Sequence, residues 1–318
     1  MTIRWGFLGA GFVASKAMAP AVHAAKGAFL AGIASRDTQR SATLQPEKVH
    51  GSYEDLLDDD NIDAVYISLA NSQHYEWVIR ALRAGKNVLC EKPLALTSAE
   101  AHHMYAVATE QKRFLVEAVW VAWHPRFKRM VEVATSGTLG EISSISTRFT
   151  SMSTMVDNYR LVPAMGGGAL LDVGCYQAYA WQALGGADNA STEVTSASCE
   201  RGPSGVDMTT QATGSLGGRI DASMLCSFSM ESGQEISVAG SHGEMRVGKS
   251  EAFTSWREES SLHVGDTEEF FPAVDAFEVM IEEVSKVFAG NDGWVVQPDA
   301  SLRVARIVDD IALRTAEL

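Results

Sequence analysis

Gly9-x-Gly11-x-x-Ala14 stands directly after the apolar run Ile3–Leu8 and opens a helix-like stretch, Phe12–Ala25. Glycines at that spacing suit one kind of chemistry. The first makes a tight turn, the second lets an anion reach the backbone, and the helix N–H groups beyond face a pyrophosphate. A second chemical mark is Glu91-Lys92-Pro93, which ends the apolar run Val88-Leu89-Cys90. In a doubly wound sheet, ligands sit beyond the carboxyl ends of the strands. A lysine there is delivered to a cleft rather than left on a surface.

The next strand-like run, Phe29–Ala34, leads into Ser35-Arg36-Asp37, with Arg40 one turn later. An acid at this place holds a ribose 2′-hydroxyl, whereas a hydroxyl and guanidinia suit a 2′-phosphate. Ser35, Arg36 and Arg40 therefore predict NADP; Asp37 on the ribose is the NAD alternative.

These marks need elements to carry them. Strand-like runs at Ala64–Leu69, Asn87–Cys90 and Phe114–Val119 alternate with helix-like runs at Tyr53–Leu57, His74–Ala84 and Ser98–Gln111. That alternation predicts a mostly parallel, doubly wound sheet, with Pro20 kinking or restarting the first helix. After a helix at Pro125–Thr135 the pattern changes. Ile142–Thr150, Arg219–Met230, Glu235–Ala239 and Glu244–Val247 read as antiparallel strands with one covered face. Helices are expected at Ala169–Leu184, Phe277–Phe288 and Ala300–Leu313. The fold class is α/β, a Rossmann domain over 1–120 followed by an α+β domain over 121–318 with an open, mostly antiparallel sheet. The last helix is expected to return to the first domain.

Bulk properties narrow the function. A chain of 318 residues suits two domains. The net charge of −14 argues against a nucleic-acid partner. The four cysteines lack CxxC spacing and read as buried thiols in a reducing compartment. No His/Cys/acid cluster has metal-ligand spacing, so no metal is expected. The N-terminal run looks like a short signal peptide but is broken by Gly6, Gly9 and Gly11, and no run reaches the roughly 18 apolar residues of a membrane span. A cytoplasmic protein is expected, with a homo-oligomer formed through an uncovered sheet face.

The glycine turn, "LANSQHYEWVIRALRAGKNVLCEKPLAL", "SGTLGEI" and "YRLVPAMGGGALLDVGCY" together resemble the glucose–fructose oxidoreductase / inositol dehydrogenase family along essentially the whole chain. "VEAVW" and "GGGALLDVGCY" are most similar to its dihydrodiol and xylose dehydrogenase branch. The resemblance implies an active site between the two domains, a cis Lys92–Pro93 bond, and three site residues: Lys92, Asp172 and Tyr176. It also places Asn71 and His74 beside the cofactor. The expected cofactor-facing set is Gly9, Gly11, Phe12, Val13, Ser35, Arg36, Arg40, Leu69, Ala70, Asn71, His74, Glu91, Lys92, Trp120 and Arg160. The chain departs from the family at Ala122-Trp123-His124-Pro125, where many members have Arg-Phe-x-Pro.

These residues suggest a mechanism. Oxidising an alcohol needs a hydride acceptor and a proton acceptor. Tyr176 is the expected acid/base, with Lys92 lowering its pKa and polarising the reacting oxygen. Asp172 is expected to pair with Lys92 or grip a substrate hydroxyl, sharing a helix face with Tyr176. Trp120, Trp123, Phe149 and Tyr159 line the pocket or fill the core. The competing functions are a non-catalytic NAD(P)-sensing regulator and a nucleotide-sugar ketoreductase.

Overall fold

The computed structural model describes residues 1–153, 155–186 and 191–316. The chain divides into two compact units. The first comprises residues 1–95, 99–123 and 275–298. Its sheet is built from β1 (Ile3–Leu8), β2 (Ala28–Ala34), β3 (Lys48–His50), β4 (Ala64–Ile67), β5 (Asn87–Glu91) and β6 (Leu115–Ala118). Every pairing is parallel and the order is β3-β2-β1-β4-β5-β6. β1, β4 and β6 are almost wholly buried, which fits strands covered by helices on both faces.

The first helix does not run evenly. A π turn at Ala14–Met18 precedes α1 (Ala19–Ala24), and Pro20 lies in the first turn of α1. Proline has no N–H to donate there, and the Ala19 N–H reaches back to the Ala14 carbonyl. The crossovers continue with α2 (Thr38–Thr43), α3 (Tyr53–Leu57), α4 (Asn71–Arg83) and α5 (Ser98–Gln111).

It is the penultimate helix, Ala276–Phe288, that groups with this unit; the last helix groups with the second. The Trp5 indole donates to Ser285 Oγ at 3.1 Å, and the Trp5 ring packs on Phe288. Trp120 stacks on Phe277, while Trp123 is fully buried with its indole N–H on the Trp294 carbonyl. Both tryptophans, read as lining the pocket or filling the core, are buried in this unit.

The second unit carries α6 (Pro125–Thr135), β7 (Ile142–Met152), a π turn at Leu170–Gly174 and α7 (Cys175–Leu184). Then follow β8 (Thr192–Arg201), β9 (Asp207–Leu216), β10 (Ile220–Ser227), β11 (Ser229–Gly240), β12 (Gly243–Val247), β13 (Ser260–Val264) and β14 (Thr267–Phe271). The helix α8 is the returning Ala276–Phe288, and α9 (Pro298–Ala316) ends the chain. The sheet order is β14-β13-β12-β11-β7-β10-β9-β8, antiparallel except for β7 beside β10.

α7 lies on one face of this sheet. The Trp181 indole donates to the Ser223 carbonyl, and Gly214 leaves room for the Trp181 ring. The opposite face exposes Ser146, Ser196, Gln211 and Thr213. The alternation expected to run to Met230 stops sooner. Ser227 is buried, bonded to Thr209, and Met230 is exposed, because the chain turns at Phe228 into β11.

Candidate active site

The glycine turn of the first unit assigns different reasons to its glycines. Gly9 has φ +103° and donates to the Ala34 carbonyl at 2.9 Å. A Cβ there would run into the Ser68 carbonyl, so the fold itself demands glycine. Gly11 has ordinary φ, and a Cβ would meet nothing nearer than Ser68 Oγ at 4.0 Å. The packing of the protein leaves that position open, which is what a backbone approached by pyrophosphate requires. Phe12 beside it is 71% exposed.

At the end of β2 the acid is already committed. Asp37 caps α2 by accepting the Arg40 N–H at 2.9 Å, and it lies 3.6 Å from the Arg40 guanidinium. Ser35 Oγ bonds the Asp37 carbonyl and Ser41 Oγ, both at 2.8 Å. Arg36 is exposed and forms no hydrogen bond or ion pair with another described residue.

The turn after β5 answers why a lysine is framed by glutamate and proline. The Lys92–Pro93 bond is cis, as the resemblance implied. Glu91 is turned inward and accepts the Tyr66 hydroxyl at 2.6 Å. Burial, then Glu91, pushes that phenol well above its ordinary range. Leu94 donates its N–H to Glu117 Oε1 at 3.1 Å. His74 is fully buried, with Nδ1 2.8 Å from the Pro93 carbonyl and Nε2 3.3 Å from the Leu69 carbonyl.

His74 and Glu91, both expected beside the cofactor, direct these side-chain contacts into the protein. Both face protein, and they fix the loops that present Leu69, Ala70 and the half-buried Lys92. Asn71, also buried, starts α4. Burial lowers the His74 pKa to about 4, which keeps the ring neutral. A neutral ring carries one N–H, and the shorter contact places it on Nδ1, toward Pro93.

In the second unit, Asp172 lies in the π turn and Tyr176 in the first turn of α7. Asp172 pairs with Arg160, Nε to Oδ2 at 2.7 Å. That partner was not foreseen for either residue. Of the three glycines before Asp172, one makes a left-handed turn and two serve close approach. Gly166 ends a short helical turn in the left-handed region. A Cβ on Gly167 would lie 2.5 Å from the Arg160 carbonyl, and one on Gly168, at φ +119°, would run into Asp207. Asp207 accepts the Leu170 N–H at 2.8 Å and the Thr210 hydroxyl at 2.7 Å, anchoring the start of the helical segment.

The Tyr176 ring packs against Phe149 and Phe253, with centroids at 6.2 and 5.9 Å, and those two rings stack on each other. Phe149 is thus part of the wall behind Tyr176. Phe253 follows a loop held by the buried Arg126, whose guanidinium donates to the carbonyls of Lys249, Glu251 and Ala252. Glu117, Asp207, Phe253 and Arg126 were missed at the sequence level. Each acts through a partner at least 23 residues away, and no local spacing signals that.

Comparison with known proteins gives these sites a context. Residues 3–119 match the GFO/IDH/MocA oxidoreductase family, NAD-binding Rossmann fold, and residues 127–246 match the GFO/IDH/MocA C-terminal domain. The trans-1,2-dihydrobenzene-1,2-diol dehydrogenase of Bos taurus is 32% identical over 251 residues, 76% of this chain and 73% of that protein. D-xylose 1-dehydrogenase (NADP(+)) 2 of Haloferax volcanii is 37% identical over 177 residues. That match is 54% of each chain, so it spans about half the length of this curated relative.

KijD10, a 3-ketoreductase from Actinomadura kijaniata solved with NADP and TDP-benzene, has a TM-score of 0.90 at 29% identity, covering 99% of this chain and 98% of that one. Two further structures of KijD10 carry a lysine-to-alanine and a tyrosine-to-phenylalanine replacement. Those two positions lie as far apart in that sequence as Lys92 and Tyr176 do in this one. Domain by domain and along most of its length, the chain belongs to the GFO/IDH/MocA family of oxidoreductases.

Proposed function

We propose that the chain is an NADP-preferring oxidoreductase that moves a hydride between nicotinamide and a CH–OH carbon of a sugar, polyol or cyclic diol. The observation that carries this reading is the pair Lys92 and Tyr176, matched in separation by the lysine and tyrosine replaced in KijD10. The nicotinamide, when bound, accepts or supplies the hydride. The residues of the chain handle the proton. Tyr176 exchanges it with the reacting oxygen, and Lys92 polarises that oxygen. An isolated phenol titrates near 10, so Tyr176 needs cations to work near neutrality. A regulator that only senses NAD(P) needs neither Lys92 nor Tyr176.

Gly11 and the helix that follows fit the pyrophosphate, and Arg36 with Ser35 fits a 2′-phosphate. The commitment of Asp37 to α2 supports NADP over NAD. A nucleotide-sugar ketoreductase is the second reading, favoured by the likeness to KijD10, which was solved with a TDP compound. The exposed serine- and threonine-rich face of the large sheet supports a homo-oligomer, which sedimentation at micromolar concentration checks.

The deciding experiment measures turnover and NADPH binding in Tyr176→Phe and Lys92→Ala. Each is expected to lower kcat by about 10²–10⁴-fold with NADPH affinity retained. Wild-type turnover in both variants rules the reading out.

A further inference from the structure

Arg160 is tethered along one edge. Its Nε donates to Asp172 Oδ2 at 2.7 Å, and its guanidinium lies 4.7 Å from the centre of the Tyr159 ring. Neither Nη nitrogen donates to another described residue, yet these two nitrogens carry most of the donors of the fork. The Arg160 side chain keeps 26% of its surface exposed, so it is neither packed into the core nor loose in solvent. Its backbone is fixed as well. The amide donates to Asn158 Oδ1 at 3.0 Å, and the carbonyl accepts the Gly168 N–H at 2.9 Å. Burial pulls the guanidinium pKa down, but Asp172, with Tyr159 and Tyr176 nearby, holds it above its ordinary value.

A cation held this firmly with its outer donors unspent is a place for oxygen atoms. Asp172 already balances the charge, so a neutral hydroxyl suits it better than a carboxylate or phosphate. Asp172 and Tyr176 are four residues apart, and residues so spaced on a helix have Cβ atoms about 5–6 Å apart. A fork reaching past Asp172 and a phenol one turn further on suit two oxygens on adjacent carbons. The geometry points to Arg160 as the residue that selects a hydroxyl vicinal to the reacting carbon, with Asp172 as its positioning residue. This rests on the oxidoreductase reading above and narrows its substrates to vicinal diols and to sugars with a neighbouring hydroxyl.

The test compares D-xylose with 2-deoxy-D-xylose, and trans-1,2-cyclohexanediol with cyclohexanol, on the full chain. Two readouts are taken: turnover with NADP, and calorimetric binding to NADPH-loaded protein. Wild type is expected to prefer the vicinal hydroxyl by about 10- to 100-fold, and Arg160→Gln to lose that preference to within about 3-fold. If Arg160→Gln does not fold, Arg160→Lys carries the test, since an ammonium keeps the charge but not the fork; its preference must fall at least about 3-fold. A preference that survives substitution, or a wild type that shows none in binding, overturns the assignment. A binding preference lost on substitution, in a wild type with no turnover, upholds the assignment and removes the hydride-transfer reading instead.

Discussion

The turn Glu91–Leu94 and the stretch Arg160–Tyr176 carry the residues proposed to act on substrate, and they are fastened in different ways. The first is held by side chains from three other elements: Tyr66 of β4, His74 of α4 and Glu117 of β6. The second is held by its own ion pair, by the Asp207 side chain of β9 on the Leu170 N–H, and by glycines that let Arg160 and Asp207 come close. A turn at the end of a buried parallel strand has neighbours on every side to fix it. A stretch that leads from a loop into a helix leans on β9 through Asp207 and also depends on backbone conformations that only glycine adopts easily. Loss of a buried polar group should therefore hurt both regions, whereas backbone strain at a glycine should hurt the second alone.

The largest effect is expected at Gly168→Ala. The left-handed φ and the clash with Asp207 should cost about 3 kcal/mol or more in chemical denaturation. Alanine at Gly11, which has ordinary φ and open space, should cost under about 1 kcal/mol while weakening NADPH binding.

Acid sensitivity comes next. His74 in the first unit and His124 in the second are each lowered to about 4, chiefly by burial. Unfolded histidine binds its proton near 6.5. Each ring thus stabilises the fold fully above pH 6.5, and that stability is lost as pH falls toward 4, by up to about 3 kcal/mol per ring. His74→Gln and His124→Gln should each flatten the pH dependence of the denaturation midpoint over that window. A slope untouched by His74→Gln would show that the first turn is not fastened as described.

Smaller changes are expected from paired acid-to-amide variants. Glu117→Gln and Asp207→Asn should each cost about 1–3 kcal/mol by unbalancing a buried acceptor. On the cofactor side, Arg36→Ala should raise the KM for NADP by about tenfold and leave that for NAD unchanged. Equal losses for both cofactors would remove Arg36 from the 2′-phosphate.

Much of the fold is written locally. α3 and α6 lie where helical periodicity put them, and β5 extends only one residue beyond its apolar run. β3, β8, β9, β13 and β14 were not foreseen. β8 is an edge strand whose alternation is broken by a bulge between Val194 and Ser196, which leaves its buried residues, Val194 and Ala197, three positions apart. The short α2 escaped for another reason: it is polar and mostly exposed, and only the Asp37 cap announces it. At the sites, residue types were legible and partners were not. Lys92, Asp172 and Tyr176 could be named from motifs, but the pairing of Asp172 with Arg160 depends on a loop folding back through three glycines. Its physical cause, the collision a Cβ would make, exists only in three dimensions.

The return of residues 275–298 to the first unit bears on how the chain must be made. Trp5 finds Ser285 and Phe288, and Trp120 finds Phe277, only after most of the polypeptide has left the ribosome. Domains are usually completed in order of synthesis, amino-terminal first. Here the earliest strand waits for one of the latest helices, and the second unit also recruits residues from 299 onward. Neither half reaches its finished contacts as an early nascent chain. A stop codon near residue 270 would then leave both halves incomplete rather than one intact and one missing.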